Sequence, residues 1–426
     1  MKAVVLAAGE GIRLRPLTLT RPKHLIPVGG KPLLEHLLLS LKAADVDEAL
    51  IVVHYMADNI QQFFGNGVHL GMKLEYIVQK QIGGTADATG MAENYAKEDF
   101  LLVYGDLHIT SNVIKRIIRS YEKEKPVAAM TVVPVENPEQ YGIVELDGPH
   151  VIDIIEKPQP KEAPTNSANA GVYILQPGIF KKIRQTSKSS RGEWEITDSL
   201  RLLIQEDKKS VLAVEVPSGE WLDVGRPWDL FEANQRALNQ VDPIVEGEIE
   251  EGAHLIGSVA VGRQTRIRSG AYIEGPAYIG EHSDIGPNCY IRPHTSIGKN
   301  VRIGNACEIK NSIIMDSAHI GHLSYVGDSI IGEECNLGAG TITANYRFDA
   351  DTIEMIIKDE VVDTERTKLG VIFGDRVKTG INSLFMPGIK VSNNSWIGPN
   401  IIVYHDVPPN TVLLLKQETE QKESRK

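Results

Sequence analysis

Cysteine is scarce in this chain: 3 among 426 residues, at Cys289, Cys307 and Cys335. The number is odd and no C-x-x-C pair occurs, so neither a disulfide framework nor a thiolate zinc site is expected. Positive charge is in deficit too, with 45 Lys and Arg against 56 Asp and Glu and a formal charge of −11. That balance disfavours nonspecific binding to nucleic acid or an anionic membrane, while leaving room for a local basic pocket that takes phosphates. No run of about 18 apolar residues occurs, so no membrane-spanning helix is expected. The stretch MKAVVLAAGE enters a strand-like run without a basic leader, which argues against a signal peptide. The expected home is a reducing cytoplasm. What is present, 42% hydrophobic and 24% charged residues, fits a folded chain of two or three domains.

The hydrophobic pattern changes near residue 240. Before it, short apolar runs (KAVVLAA, EALIVVH, FLLVYGD, VAAMTVVPV, ANAGVYIL) alternate with amphipathic stretches such as LLEHLLLSLKAA and NVIKRIIRSYEKE. Strands alternating with helices predict an α/β, Rossmann-like domain over 1–239, with a mostly parallel sheet covered by helices. Ligands then bind beyond the carboxyl ends of strands, which directs attention to the loops after LAA and VYGD. From His254 a six-residue period takes over: Val261, Ile267, Ile273, Ile279, Ile285, Ile291, Ile297, Ile303 and Ile309. Gly follows many of them, giving the hexad of a left-handed parallel β-helix, expected over 254–407 after a linker at 240–253. The series slips at Ile314, Ile320, Val326, Ile331 and Leu337, meets an insertion at about 346–368, and resumes around Val371, Ile381, Ile389 and Ile397. A charged C-terminal tail is placed at 408–426, and its end, KQETEQKESRK, with charge and no apolar content, is expected to be disordered.

In the first half, LAAGEGIRLRPLTLTRPKHLIPVGGKP turns on Gly9 and Gly11 and carries Arg13, Arg15 and Lys23. Glycines let backbone N–H groups approach an anion and the cations neutralise a polyphosphate. The pattern is neither a dinucleotide fingerprint nor a P-loop, since no G-K-[S/T] follows. Alone, the two glycines fit an ordinary strand-to-helix turn equally well. Asp106 and Asp223 each follow or interrupt an apolar run, where a carboxylate needs a cation or hydrogen bonds to compensate it; a single Asp there could equally be a cap.

The pattern L-A-A-G-x-G-x-R followed by P-K resembles the signature of sugar-1-phosphate nucleotidyltransferases. Further segments match in order: Gln79 with Gly83-Gly84-Thr85-Ala86, Tyr104-Gly105-Asp106, Glu156-Lys157-Pro158, and Trp221-Leu222-Asp223-Val224-Gly225. The resemblance implies that Leu6, Ala8, Gly9, Gly11, Gln79, Gly84 and Thr85 bind the nucleotide, with Arg13 and Lys23 catalytic. It implies that Asp106 and Asp223 hold Mg²⁺, that Gly142, Glu156 and Asn169 touch the sugar, and that Lys157 binds its phosphate. A sugar 1-phosphate is already an anion, so such a site has mainly to suppress charge repulsion and align an in-line attack.

The second half, from IRPHTSIGKN to GAGTITANY, is similar to the acetyltransferase half of the bifunctional family that makes UDP-N-acetylglucosamine, and more to its archaeal branch. The matching histidine there is the catalytic base, which implies His322 here. An amine must lose its proton before attacking a thioester, a transfer suited to histidine at neutral pH. The resemblance further implies Glu308 as support for that imidazole, Arg292, Lys310 and Tyr325 on the sugar phosphate, and Asn336, Asn345 and Tyr346 around the sugar and the acetyl-CoA donor. His254, His282, His294 and His319 read as solvated face residues. Two departures stand out: Asp351 occupies the place of a phosphate-binding lysine, with Lys358, Arg366 and Lys368 nearby in a longer insertion, and Gly380 replaces a serine that helps the acetyl group.

The resulting expectation is a cytoplasmic homotrimer that acetylates glucosamine 1-phosphate from acetyl-CoA and then transfers uridylyl from UTP to N-acetylglucosamine 1-phosphate. Mg²⁺ would be its cofactor, with neither nucleic acid nor membrane as partner. Two rivals stay open: a monofunctional glucose- or mannose-1-phosphate nucleotidyltransferase whose β-helix only assembles or regulates, and a noncatalytic sugar-nucleotide sensor.

Overall fold

The computed structural model describes residues 1–159, 162–189 and 191–424; the last two residues of the expected tail lie outside that set. Contacts divide the chain into two compact units. One comprises Met1–Gly11, Arg21–Ile26 and Lys31–Gly225, the other Ile12–Thr20, Pro27–Gly30 and the chain from Arg226 onward.

The first unit is built on nine strands: β1 (Lys2–Ala7), β2 (Glu48–Val53), β3 (Lys73–Val78), β4 (Phe100–Tyr104), β5 (Ala128–Pro134), β6 (Gly142–Asp147), β7 (His150–Glu156), β8 (Ser167–Leu175) and β9 (Val211–Glu215). They form one sheet in the order β3-β2-β1-β4-β8-β5-β9-β7-β6. Val4 and Val5 in β1 are both fully buried, as expected for a central strand covered on both faces. β1 runs parallel to β2 and to β4, with Leu6 opposite Tyr104, so the loops after Ala7 and Tyr104 leave the same end of the sheet. The far half departs from the mostly parallel expectation. β8 runs antiparallel to β4 and β5, and β6 with β7 makes a hairpin, so the sheet is mixed. The turn Asp147-Gly148-Pro149, with Gly148 at φ +57°, lets the chain double back where a parallel connection would need a crossover helix. Helix Leu33–Lys42 buries Leu34, Leu37, Leu38 and Leu41, and helix Ser111–Glu124 buries Val113, Ile114 and Ile117; each is a one-faced apolar stripe at helical spacing. Truncating Leu37 to Ala would cost about 2–5 kcal/mol.

The second unit carries three parallel sheets of 9, 8 and 7 strands, the three faces of a β-helix. Ile267, Ile285 and Ile303 stack in register on one face, and the hexad isoleucines from Ile267 to Ile309 are fully buried. Corners need the left-handed region, where Asn is tolerated better than most side chains; Asn300, Asn394 and Asn400 sit there, and so do His282 and His294. Glycine after the hexad residue is a packing demand: a Cβ on Gly304 would lie 1.7 Å from the Gly321 carbonyl oxygen.

The ladder starts at Glu248–Ile249, inside the expected linker, and reaches Val412–Leu413, past 407. After the insertion one buried series runs six apart through Phe373, Thr379, Phe385, Val391, Ile397 and Val403, and the expected Val371 and Ile389 are buried as well. Ile381 is off this phase and 55% exposed; Phe and Thr, not Ile, fill the inward sites between. The insertion folds as an antiparallel hairpin of Glu354–Ile357 and Glu360–Asp363. Helix Asp229–Leu238 belongs by its contacts to this unit: the Asn234 amide donates to the His294 carbonyl (2.9 Å) and accepts from the Gly29 N–H (2.8 Å). All three cysteines are buried thiols outside any disulfide. Among the described residues no helix is long and apolar enough to cross a membrane.

Candidate active sites

The parallel pairing of β1 with β4 brings the glycine loop and Asp106 together. The Gly105 N–H donates to the Leu6 carbonyl (2.9 Å). The Lys23 ammonium donates to the Asp106 carboxylate and stands 3.6 Å from where a Gly9 Cβ would be, so the cation lies directly against the glycine loop. Burial alone would raise the Asp106 carboxyl; the Lys23 charge and hydrogen bond outweigh it and hold Asp106 below the ordinary carboxylate range. Strand Trp221–Asp223 pairs antiparallel with Leu107–Ile109, placing Asp223 opposite Leu107 and one residue from Asp106, and the Val224 N–H donates to the Asp106 carbonyl (3.1 Å). Among the described residues no group of three or more metal-binding side chains is gathered. Two carboxylates are what Mg²⁺ uses when phosphates and water complete its shell, so the donor set fits that ion. Beneath them His24 is fully buried with neither ring nitrogen hydrogen-bonded, and burial, reinforced by Lys23, lowers its pKa to about 3. Arg13, on the short helix Ile12–Leu14, is grouped with the second unit. Gly11 has φ +66°; Ala8 is buried and Leu6 half-buried.

Around the expected base loop, Gln79 is buried and donates to Asp87 (2.6 Å). Gly84, at φ +103°, closes against Trp194: the Ala86 N–H donates to the Trp194 carbonyl and the Trp194 N–H to Gly83, each at 2.8 Å. Thr85 donates to Glu195 (3.2 Å) and accepts from the Ile196 N–H (2.9 Å). Arg191 then spans Glu195 (2.7 Å) and Glu156 (3.2 Å), tying this loop to the end of β7. Burial raises the Glu156 pKa, with Arg191 opposing it. A Cβ on Gly142 would lie 2.7 Å from Glu156 Oε2, so the carboxylate occupies space that only glycine leaves open. The Asn169 amide donates to the Tyr173 hydroxyl (2.6 Å) and accepts from the Gly171 N–H (3.1 Å). Lys157 is exposed at φ +47°, an uncommon conformation for a side-chain-bearing residue. Sequence reasoning passed over Arg191, Trp194 and Glu195; the signal available was R-G-E-W-E, a Trp framed by charges immediately before a helix.

On the coil, Arg292, Glu308, Lys310 and Tyr325 project from successive strands of the 8-stranded face, and Asn345 follows the next strand. Asp328 is their hub. Its buried carboxylate accepts from Lys310 (2.8 Å), Asn311 (2.7 Å) and Asn345, and the Asn345 amide also reaches the Tyr325 hydroxyl (3.2 Å). Burial, then the Asp328 charge, raises the Tyr325 pKa. Glu308, expected to support His322, is bound to Arg292 instead (3.1 Å). The ladder explains this: Glu308 lies opposite Tyr325, whereas His322 lies opposite Asn305. His322 is exposed at the end of a strand of the 9-stranded face, just before the corner that leads to Tyr325. Asn336 belongs to that 9-stranded face, between His319 and Lys378, and Tyr346 is half-exposed at the start of the insertion.

Comparisons with known proteins agree with this division. A nucleotidyl transferase family model matches residues 2–240 and a GMPPB C-terminal domain model residues 273–382. The chain is 45% identical over 419 residues to a bifunctional GlmU protein of Methanococcus maripaludis and 41% over 420 residues to that of Methanocaldococcus jannaschii, with 98% of each chain covered in both cases. A bifunctional sugar-1-phosphate nucleotidylyltransferase/acetyltransferase of Sulfurisphaera tokodaii is 38% identical over 96% of this chain and 98% of its own. Among solved structures, one assigned as a glucose-1-phosphate thymidylyltransferase of Bacillus anthracis, in complex with sucrose, is 30% identical with a TM-score of 0.52, covering 57% of this chain and 96% of that one. With its Lys23–Asp106 loop, its Glu156 cluster and its Asp328-centred coil face, the chain belongs to the bifunctional GlmU family of sugar-1-phosphate nucleotidyltransferases and acetyltransferases.

Proposed function

We propose that the second unit transfers the acetyl group of acetyl-CoA to the amine of glucosamine 1-phosphate and that the first joins the product, N-acetylglucosamine 1-phosphate, to the uridylyl group of UTP. The observation that carries the two-headed reading is Asp328: a buried carboxylate holding Lys310, Asn311 and Asn345 in one place is expensive to maintain in a coil that serves assembly alone.

In acetyl transfer, His322 takes the amine proton as nitrogen attacks the thioester carbonyl carbon; the C–S bond breaks, and the leaving CoA sulfur recovers a proton from the imidazolium. Arg292 and Lys310 face the sugar phosphate, with Tyr325 and Asn345 beside it. In uridylyl transfer, a phosphate oxygen of the sugar attacks the α-phosphorus and the bond to the β-phosphate breaks, releasing pyrophosphate. The Gly9 and Gly11 backbone lets the triphosphate approach closely, and Lys23 and Arg13 stabilise the departing charge. Glu156 and Asn169 orient the sugar and Lys157 its phosphate. Mg²⁺, bound through Asp106 and Asp223, would neutralise charge between the two anionic reactants. The chain is further read as a cytoplasmic homotrimer, since flat coil faces suit closed three-fold assembly.

The test follows CoA thiol release with glucosamine 1-phosphate and pyrophosphate release with UTP and N-acetylglucosamine 1-phosphate, each against other amino sugars and nucleoside triphosphates, with light scattering for the assembly. Pyrophosphate release without any thiol release would replace this reading by a monofunctional nucleotidyltransferase with an inert coil.

A further inference from the structure

The glycine-loop segment is divided between the two units. Met1–Gly11 and Arg21–Ile26 group with the first by their contacts, whereas Ile12–Thr20 and Pro27–Gly30 group with the second. Arg13 therefore lies in a stretch seated on the coil. That stretch is two short helical turns, Ile12–Leu14 and Leu17–Leu19, closed by the Arg15 N–H on the Ile12 carbonyl (3.2 Å) and the Leu19 N–H on the Pro16 carbonyl (3.1 Å). Leu14, Leu17 and Thr18 are buried. Its far end is fastened by two buried corner residues of the coil, Asp375 and Asn393. The Thr20 hydroxyl donates to Asp375 Oδ2 (2.6 Å). The Asn393 amide, its orientation set by its partners, accepts from the Asp375 N–H (3.1 Å) and donates to the Pro16 carbonyl (3.0 Å). The turn that follows Lys23 is seated as well: Gly29 bonds to Asn234, and Gly30 lies so close to the Tyr278 ring that a Cβ would stand 2.4 Å from it. An aspartate at such a corner also has an ordinary task. Asp316 Oδ1 accepts from the Lys299 N–H (2.8 Å) and Asp375 Oδ1 from the Glu333 N–H (2.9 Å), each capping the neighbouring coil. That task uses one oxygen of Asp375, and the other oxygen takes Thr20, 355 residues away in sequence.

We infer that Asp375, a residue of the coil, is a positioning residue for uridylyl transfer: through Thr20 it holds in place the stretch that presents Arg13 to the triphosphate. A segment already held loses less freedom when substrate binds, so the coil contributes to nucleotide binding without touching the nucleotide. The inference rests on the reading that Arg13 meets the triphosphate, and deepens it. Tested in the full-length protein, Thr20→Val keeps the shape of the side chain and the Asp375 bond to Glu333 while removing the hydroxyl. It raises KM for UTP, and for pyrophosphate in the reverse reaction, about tenfold, within reach of one hydrogen bond to a charged group. KM for N-acetylglucosamine 1-phosphate moves less than about threefold. Thr20→Ser, which retains the hydroxyl, stays near wild type. Asp375→Ala reproduces the rise, and adding Thr20→Val to it raises the constant no further, because both remove one contact. Asp316→Ala removes a corner cap alone and leaves the UTP constant near wild type. A UTP KM within about twofold of wild type in Thr20→Val overturns the inference. So does an equal rise in Asp316→Ala or in the sugar-phosphate constant, since either marks a general loosening of the fold. A wild-type enzyme that releases no pyrophosphate from UTP is a different result: it removes the uridylyl reading, and with it the reaction Asp375 would serve.

Discussion

The Asp328 hub makes a quantitative demand on the second unit. Its side chain is 6% exposed and that of Lys310 18%, so replacing Asp328 with Ala leaves an ammonium largely cut off from water. Losing one partner of a buried pair costs about 3–5 kcal/mol. Two features bring the value to the lower end: Lys310 retains some access to solvent, and the released Asn345 amide keeps its bond to the Tyr325 hydroxyl (3.2 Å). About 3 kcal/mol is therefore expected for Asp328→Ala. Lys310→Met leaves the carboxylate two amide donors and should cost about 1–2 kcal/mol. The double variant buries no unpaired charge, and its cost should fall short of the sum by about 2 kcal/mol. Calorimetry is the appropriate assay, because a chain of two compact units does not license a single two-state fit. Costs that add within about 0.5 kcal/mol would refute the coupling and reduce the pair to a surface contact.

Three further outcomes are expected. Gly142→Ala should raise KM for the sugar phosphate in uridylyl transfer about tenfold or more, because its Cβ would meet Glu156 Oε2 at 2.7 Å and displace a group that orients the sugar; an unchanged KM removes Glu156 from the site. His322→Ala should lower the kcat of acetyl transfer by about two to four orders of magnitude, the range for a lost general base, with KM values altered far less; a rate above about a tenth of wild type contradicts that role. Acid should destabilise the first unit: His24 is held at about 3, against the ordinary histidine value of 6.5, so below 6.5 the unfolded chain takes a proton the native state refuses. Its stabilising contribution, complete above 6.5, falls as pH drops from there toward 3, by about 2 kcal/mol at pH 5. His24→Asn should flatten this slope in thermal melts between pH 7 and 5, and an unchanged slope would show that His24 is not its source.

Much of the coil was legible in the sequence because its signal repeats. A buried Ile or Val every six residues and a glycine where backbones touch leave few alternatives, and the ladder follows them. The reading failed where the inward residue changed type: Phe373, Thr379 and Phe385 keep the phase after the insertion, whereas Ile381, apolar but one corner away, faces solvent. The mixed half of the first sheet was hidden for another reason. β6, β7 and β8 look like any buried strands, and direction is decided by turns such as the one at Gly148, which carry weak local signals. Among the site residues, Gly9 and Asp106 fall together because parallel neighbours end at one edge, and Asp223 joins them through the antiparallel pairing of Trp221–Asp223 with Leu107–Ile109. Arg191 and Glu195 were missed because their partners stand far off in sequence, Glu156 by 35 residues and Thr85 by 110.

A further regularity emerges only from the contacts. At both sites some of the cations assigned by motif already rest on carboxylates: Lys23 on Asp106, Arg292 on Glu308, Lys310 on Asp328. A carboxylate at hydrogen-bond distance fixes a flexible cationic side chain before substrate arrives, which reduces the ordering cost of binding. It also cancels the charge that would attract an anion. The two effects oppose each other, so a site prepared in this way needs charge beyond its pairs. In the first unit a cation bound at Asp106 and Asp223 would meet that need, since it would satisfy the carboxylate and leave the Lys23 ammonium available to phosphate. On the coil face the two carboxylates described, Glu308 and Asp328, each hold a cation of their own, Arg292 and Lys310, so there the pairs fix the side chains without leaving net positive charge.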